Sequence, residues 1–275
     1  MSKNSFVKQD DLSGRVALVT GATGILGRHF CNGLAASGAN VVVADLDSDA
    51  AELFASELQS SYGHPCLGVA CDVSSEVAVV AMVDLALKTF GRLDFVHCNA
   101  ATKTADLRLF FAPFEDYALE TWREVMSVNL DGMFLTAKVA GGALARQGRG
   151  GSIVMTASIY GMVAPDQRIY EGSRYMGGAI NTPAVYAASK AGVIGLARFL
   201  ATYWADKGIR VNVLTPGGVE SGQNEIFSTN YSERVPLGRM ANPGEMVGAL
   251  LFLASVASSY VTGQNIVVDG GLTAW

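Results

Sequence analysis

The sequence predicts an α/β protein: a doubly wound parallel sheet of seven strands, with residues 1–275 forming a single domain. Seven short apolar runs recur along the chain, stretches of helical period separate most of them, and a glycine-rich turn joins the first run to a helix. Continuously apolar strands alternating with helices require a sheet covered on both faces. The right-handed crossover rule then makes it doubly wound. At 275 residues the chain is long enough for one large core, and no composition shift marks a linker.

Val16 to Thr20 is the first run, and it passes into Gly21-Ala-Thr-Gly24-Ile-Leu-Gly27 ahead of a helical pattern through Phe30 and Leu34. Glycines in such a turn let the backbone approach a pyrophosphate, which the N–H groups and dipole of the helix N-terminus hold. Gly21, Thr23, Gly24, Ile25, Leu26 and Gly27 are therefore candidate contacts of a Rossmann-type dinucleotide site. Asn40 to Asp45 is the second run, and Asp45 lies 18 residues after Gly27. An acid at that distance accepts from the adenosine ribose hydroxyl and repels a 2′-phosphate, which favours NAD over NADP. Arg28, beside the turn, is the residue able to reach a phosphate instead. Asp47 and Ser48 are better placed than Asp45 to cap the helix Ser48 to Tyr62.

The remaining runs are Cys66 to Cys71, Phe95 to Cys98, Ser152 to Thr156, Arg210 to Leu214 and Asn265 to Asp269. Ser74 to Phe90, Thr121 to Arg146 and Val185 to Lys207 have helical period. Thr121 and Glu124 have the spacing of a capping box. The last of these helices carries Tyr186 and Lys190, neighbours across one turn and downstream of the strand that ends near Ser158. A tyrosine has an ordinary pKa of about 10, and a nearby ammonium is expected to draw it toward the range of a neutral-pH base. Tyr203 and Lys207 repeat the spacing, but they close a helix before Gly208 and read as C-terminal residues of that helix.

Composition narrows the function classes. The formal charge is −5 and the 20 Lys and Arg residues are scattered, which argues against nucleic acid as a partner. The polar stretch Met1 to Asp11 has no signal-peptide pattern. The apolar stretch Ala249 to Ala257 is far shorter than the ~20 residues of a membrane span, so no membrane partner is expected. Cys31, Cys66, Cys71 and Cys98 lack Cys-x-x-Cys spacing and read as free thiols in a reducing cytoplasm. His29, His64 and His97 have no neighbours at ligand spacing, so no metal site is expected and a zinc-dependent alcohol dehydrogenase is disfavoured.

Taken together these motifs resemble the classical short-chain dehydrogenase/reductase family over nearly the whole chain, from Gly14 to Gly271. Beside the glycine turn, Asp72-Val73 looks like the family's adenine-contacting pair, and Asn99-Ala100 resembles its Asn-Ala-Gly stretch. Asn129, Ser158, Tyr186 and Lys190 match the catalytic tetrad. Pro216-Gly217 resembles the loop beside the nicotinamide, where Val219 and Ser221 stand at carboxamide-holding positions. Val268-Asp269-Gly270-Gly271 resembles the family's usual close. The resemblance implies that Tyr186 exchanges a proton with the substrate oxygen and that Ser158 hydrogen-bonds it. It also implies that Lys190 lowers the tyrosine pKa and holds the nicotinamide ribose, and that Asn129 positions a relay water. The expected activity is NAD(H)-dependent oxidation of a secondary alcohol or reduction of a ketone, the substrate a sugar, polyol or derivative. The alternatives are a sugar-nucleotide epimerase or dehydratase that retains NAD, and a 3-oxoacyl-thioester reductase. A non-catalytic dinucleotide sensor is disfavoured by the complete tetrad.

Three features depart from the family pattern. Gly21, Gly24 and Gly27 follow the spacing of the extended members, although the chain closes soon after its last strand. Cys98 and Ala101 replace the usual asparagine and glycine around Asn99. The segment 161–183 between Ser158 and Tyr186 is unusually long and must lie at the pocket mouth. Asp166, Gln167, Arg168, Tyr170, Glu171, Arg174, Tyr175 and Asn181 make it polar, suited to a hydroxyl-rich or anionic ligand or to a subunit contact. The stretch Ala164 to Gly172 also resembles an insert in short-chain dehydrogenases from flagellin-glycan and nonulosonate sugar clusters. Finally, Val193, Ile194, Leu196, Phe199, Leu200, Tyr203 and Trp204 cannot all face one sheet. Cover by another subunit is the family's solution, which implies a homotetramer.

Overall fold

The computed structural model describes residues 10–175 and 177–275; the stretch of the polar start through residue 9 lies outside the described residues. The strands are β1 (Val16–Thr20), β2 (Asn40–Asp45), β3 (Cys66–Ala70), β4 (Phe95–Cys98), β5 (Gly151–Thr156), β6 (Arg174–Tyr175), β7 (Gly178–Ala179), β8 (Ile209–Pro216) and β9 (Asn265–Val268). Seven of them form a parallel sheet in the order β3-β2-β1-β4-β5-β8-β9. Each predicted run is one of these strands. The sequence reading did not include β6 and β7, a small antiparallel hairpin inside the 161–183 segment. Two-residue strands around a glycine carry no apolar run, so periodicity has nothing to detect.

The helices are α1 (Ile25–Ala36), α2 (Ser48–Tyr62), α3 (Glu76–Phe90), α4 (Leu107–Phe110), α5 (Leu119–Met126), α6 (Gly132–Gln147), α7 (Ala184–Tyr203), α8 (Glu225–Ser232) and α9 (Val247–Ala254). One face of the sheet is covered by α3, α6 and α7 through Met82, Met133, Leu144 and Val193. The other is covered by α1, α2 and α9 through Phe30, Leu34, Leu58 and Leu250. Both layers are apolar, which is why the central strands read as unbroken runs. Asp47 caps α2, accepting from the Ala50 amide at 3.0 Å. Ala184–Tyr203 has the length and mean hydropathy, 1.3, of a membrane span, but one side of it packs into the first of these layers.

The predicted helix Thr121 to Arg146 is interrupted. Residues Ser127–Asp131 form a π-helical turn between α5 and α6. The Thr121–Glu124 capping box is absent, because α5 begins earlier with Ala118 at its N-cap and Thr121 is buried within the first turn. The chain reverses direction across the sheet between β1 and β4, the neighbours flanked by the two halves of the fold. Doubly wound sheets place their ligand crevice at that point, beyond the carboxyl ends of the strands.

Candidate active site

The turn after β1 is shaped by what its glycines touch. Gly21 has φ +62°, and a Cβ there would stand 2.7 Å from Ala100 Cα, so β1 and the segment after β4 can meet only through a glycine. A Cβ at Gly27 would collide with the Gly21 carbonyl oxygen. Arg28 is the first residue of the helix whose amide is bonded back, to the Gly24 carbonyl at 2.9 Å. The amides of Ile25, Leu26 and Gly27 thus stand free at the N-terminal end of a 12-residue helix with no acidic residue in its first turn. This cradle fits a pyrophosphate.

A cleft of about 470 Å³ opens beside it. Gly21, Thr23, Gly24, Ile25, Leu26 and Gly27 line one side. Asp45 and Asn99 continue the wall, and Pro216, Gly217 and Val219 close it from beyond β8. Asp45 accepts from the Thr23 amide and the Leu46 amide, each at 2.8 Å, so its carboxylate is fixed at the rim. Arg28 is held elsewhere: it donates to the Thr23 carbonyl at 3.2 Å, pairs with Glu57 at 3.6 Å and lies 4.4 Å over the Phe54 ring. Asp72 and Val73 do not line this cleft. Asp72 accepts from the Ser74 amide and hydroxyl at 2.9 and 2.6 Å, the work of a turn residue before α3. Ala100 supports the turn from behind, through its contact with Gly21. Ser221 belongs to a second cleft.

That second cleft, about 570 Å³, meets the first at Ser158, Tyr186 and Gly217. Tyr170, Arg174, Tyr175, Asn181 and Thr182 of the 161–183 segment line it, together with Tyr160, Tyr231 and Phe227, whose ring stacks on Tyr170 at 5.2 Å. Arg168 is not among its walls: the side chain is 79% exposed and pairs with Asp166 at 2.7 Å, and Asp166 also pairs with Arg234. Of the polar residues that the sequence placed at the pocket mouth, Arg168 is thus held on the outer surface by a doubly engaged Asp166. Arg174 does face the cleft.

Tyr186 projects from the first turn of α7 into the junction of the clefts, and Lys190, one turn further on, lines the first of them. The Lys190 ammonium donates to the Thr156 carbonyl at 3.0 Å and lies 5.8 Å from the centre of the Tyr186 ring. Burial lowers the Lys190 pKa to about 8. Burial likewise raises the Tyr186 phenol above its ordinary value, against a smaller downward pull from its hydrogen bond with Ser158. The Lys190 ammonium is turned toward the Thr156 carbonyl, and desolvation is the larger influence on the phenol.

Asn129 is fully buried in the π-helical turn. Its carboxamide accepts from the Thr102 amide at 2.7 Å and donates to the Thr102 carbonyl at 3.2 Å. It clamps the segment after β4. π-helical turns recur at functional sites. The sequence reading missed Thr20 and Thr156, which order the same segment: Thr20 Oγ1 accepts from the amides of Asn99 and Ala100 at 3.0 and 3.2 Å. Both sit in apolar strands, where only the register across β1, β4 and β5 reveals them. Tyr203 ends α7 exposed and stacked on Phe199 at 5.7 Å, and Lys207 pairs with Asp206 at 2.9 Å. Gly208 follows with φ +68°.

The four cysteines are unpaired, and among the described residues no group of His, Cys, Asp and Glu can hold a metal ion.

A family model described as Enoyl-(Acyl carrier protein) reductase matches residues 21–273. D-threitol dehydrogenase of Mycolicibacterium smegmatis is 34% identical over 267 residues, covering 95% of this chain and 94% of that protein. The crystal structure of a short-chain type dehydrogenase/reductase from Mycobacterium marinum aligns with a TM-score of 0.83 at 34% identity, covering 97% of this chain and 98% of that one. A gluconate 5-dehydrogenase from Burkholderia cenocepacia, in complex with NADP and tartrate, aligns with a TM-score of 0.85 at 31% identity, covering 97% and 98%.

Proposed function

The chain belongs to the short-chain dehydrogenase/reductase family and is a hydride-transferring oxidoreductase with a nicotinamide cofactor, and from that premise we propose that it uses NAD to oxidise a secondary hydroxyl of a sugar, polyol or derivative. The observation that carries the reading is the junction of the two clefts at Ser158 and Tyr186. It gives one position that borders both the dinucleotide cradle and a chamber of mixed polar and apolar lining. The likeness to a threitol dehydrogenase and a gluconate 5-dehydrogenase supports a hydroxyl-rich substrate.

In this reading Gly21, Thr23, Gly24, Ile25, Leu26 and Gly27 seat the pyrophosphate, and Asp45 accepts from the ribose hydroxyl. Asn99, Pro216, Gly217 and Val219 border the nicotinamide end. When bound, the nicotinamide ring accepts the hydride as the alcohol is oxidised, and its positive charge favours the phenolate. The Ser158 hydroxyl holds the substrate oxygen, and Tyr186 Oη takes its proton. Lys190 supports the ribose and the phenol from beneath, and Asn129 holds the segment that closes the junction. NAD is favoured over NADP because the Asp45 carboxylate stands fixed at the rim while Arg28 is engaged by Glu57 and Phe54. Exposed Phe199 and Tyr203 on α7 are the surface expected to pair subunits into a homotetramer. The unpaired thiols suit a cytoplasmic location. The test is to follow reduced cofactor with NAD and with NADP across threitol, galactitol, sorbitol and gluconate. Stoichiometric NADH formation supports the reading. Turnover that leaves NAD bound and unchanged favours the epimerase class instead.

A further inference from the structure

We propose that the substrate of this site carries an anionic group, a carboxylate or a phosphate, seated between Lys103 and Arg174 at the mouth of the second cleft; the assignment rests on the oxidoreductase reading above and specifies its substrate class. The chain as a whole is acidic, at −5, yet this chamber reverses the sign. Among the residues that line it, Lys103 and Arg174 carry charge, no aspartate or glutamate is present, and the other polar groups are hydroxyls and amides. The two cations come from different loops that the structure ties together. Asn181 donates to the Phe111 carbonyl at 2.8 Å, and the Phe111 and Tyr175 rings meet edge to face at 6.3 Å. Each cation is also set by its own loop. Lys103 follows Thr102, which Asn129 clamps through both backbone groups. Arg174 donates one guanidinium nitrogen to the Gly177 carbonyl at 3.0 Å within the hairpin.

Among the described residues neither Lys103 nor Arg174 forms an ion pair, and Glu171, the acid nearest Arg174 in sequence, does not line the cleft. Asp106 pairs with Arg108 at 2.7 Å, and Asp166 is taken by Arg168 and Arg234. Two cations without a carboxylate partner, beside a chamber whose phenols and amides alternate with apolar walls such as Phe110, Ile159 and Phe227, attract an anion and hold a planar carboxylate or a phosphate well. The reacting hydroxyl would lie at Ser158 and Tyr186, and the anion at the opposite end of the same molecule.

The experiment compares sorbitol, gluconate and sorbitol 6-phosphate, three ligands that differ at one end of a six-carbon chain, with wild type, Lys103→Gln, Arg174→Gln and Arg168→Gln. Turnover is followed with both cofactors, and binding to the enzyme–cofactor complex by calorimetry. The expected result is tighter binding of one or both anions than of sorbitol. Each cleft substitution should weaken the anion about tenfold, or about 1.4 kcal/mol, and lower the anion-to-sorbitol ratio of kcat/KM. Arg168→Gln, on the outer surface, should leave the anion's affinity as in wild type. Added salt should weaken the anions and spare sorbitol. Preference for gluconate or for the phosphate identifies which anion the site takes. Failure of both anions to bind, or binding that survives both cleft substitutions, overturns the proposal. Arg174-dependent anion binding without turnover supports it and overturns instead the assignment of polyol-type alcohols as reactants.

Discussion

His97 Nε2 lies 2.8 Å from the Thr156 hydroxyl inside the sheet, with no solvent exposure at the imidazole. The bond directions follow from the neighbours. Asn99 spends its NH2 group on the carbonyls of Thr20 and Gly21, both at 3.2 Å, so its oxygen is left to accept from Thr156 at 3.2 Å. The hydroxyl proton is then used, and His97 must donate through Nε2. Its Nδ1 is left bare, facing a core where the Phe30 ring meets the imidazole edge to face at 4.6 Å. One buried imidazole thereby fixes the Thr156 hydroxyl and, through it, the Asn99 carboxamide at the cofactor cleft. The carbonyl of the same Thr156 receives Lys190.

The bare nitrogen makes His97 an acid-sensitive element. Burial lowers its pKa to about 3, against an ordinary value of about 6.5. Below pH 6.5 the unfolded chain takes a proton that the folded imidazole refuses, so stability falls as pH drops toward 3. The wild type should lose about 2 kcal/mol more than His97→Gln between neutral pH and pH 5. Denaturant midpoints at the two pH values check this, and parallel acid losses in both proteins would contradict it.

Lys190 has the opposite useful window. Its folded pKa of about 8 lies below the ordinary lysine value of 10.5, so between those values the unfolded chain binds the extra proton and stability rises with pH. Measured without cofactor against Lys190→Met, wild type should gain about 1 to 2 kcal/mol between pH 8 and pH 9.5. Comparison with the variant cancels the buried thiols, whose raised pKa values act in the opposite direction. A flat difference would mean that the ammonium is better solvated than its place beneath Thr156 indicates.

Tyr186 and Tyr203 share a spacing to lysine and differ in everything around them. Tyr186 stands where two clefts meet, hydrogen-bonded to Ser158, whereas Tyr203 is exposed on the far end of the same helix. Tyr186→Phe should keep cofactor affinity and lower kcat by about 100- to 10,000-fold. Tyr203→Phe should leave kcat within about twofold, since its ring keeps the contact with Phe199. Steady-state kinetics and cofactor titration of the two variants decide the matter.

The legible parts of this protein were those that a period or a fixed spacing reports. The unbroken apolar runs from Val16 to Thr20 and from Asn40 to Asp45 match their strands residue for residue, because both faces of the sheet are dry. The glycine turn, Asp45 and Tyr186 could be named from pattern and spacing, and Ser158 from the family resemblance. What escaped depends on register and on burial. Thr20, His97 and Thr156 meet only when β1, β4 and β5 are aligned, and each looks like an ordinary strand residue in isolation. Nor does spacing reveal that Asn129 sits in a π-helical turn, or that Arg168 faces outward while Arg174 faces in. The direction of the Tyr186 shift also lay beyond the sequence, since it turns on desolvation rather than on the distance to Lys190 along the chain.

Asp45 should decide between the two nicotinamide cofactors. Its oxygens are oriented by the amides of Thr23 and Leu46, so the carboxylate meets a ribose hydroxyl as an acceptor and a 2′-phosphate as a like charge. At an effective dielectric of 20 that repulsion is on the order of several kcal/mol. Screening and side-chain movement at the rim reduce it to about 2 to 3 kcal/mol, or about 30- to 150-fold in kcat/KM in favour of NAD. Arg28 cannot offset this without leaving Glu57 and the Phe54 ring. Asp45→Asn keeps an acceptor for the Thr23 amide and removes the charge, so it should raise kcat/KM with NADP while lowering it with NAD. Asp45→Ser should lose more of the NAD efficiency, since the shorter side chain also releases the turn. The measurement is kcat/KM with both cofactors for wild type and the two variants. Equal use of NAD and NADP by the wild type would show that Arg28 swings from Glu57 to meet the phosphate and that Asp45 does not govern the choice.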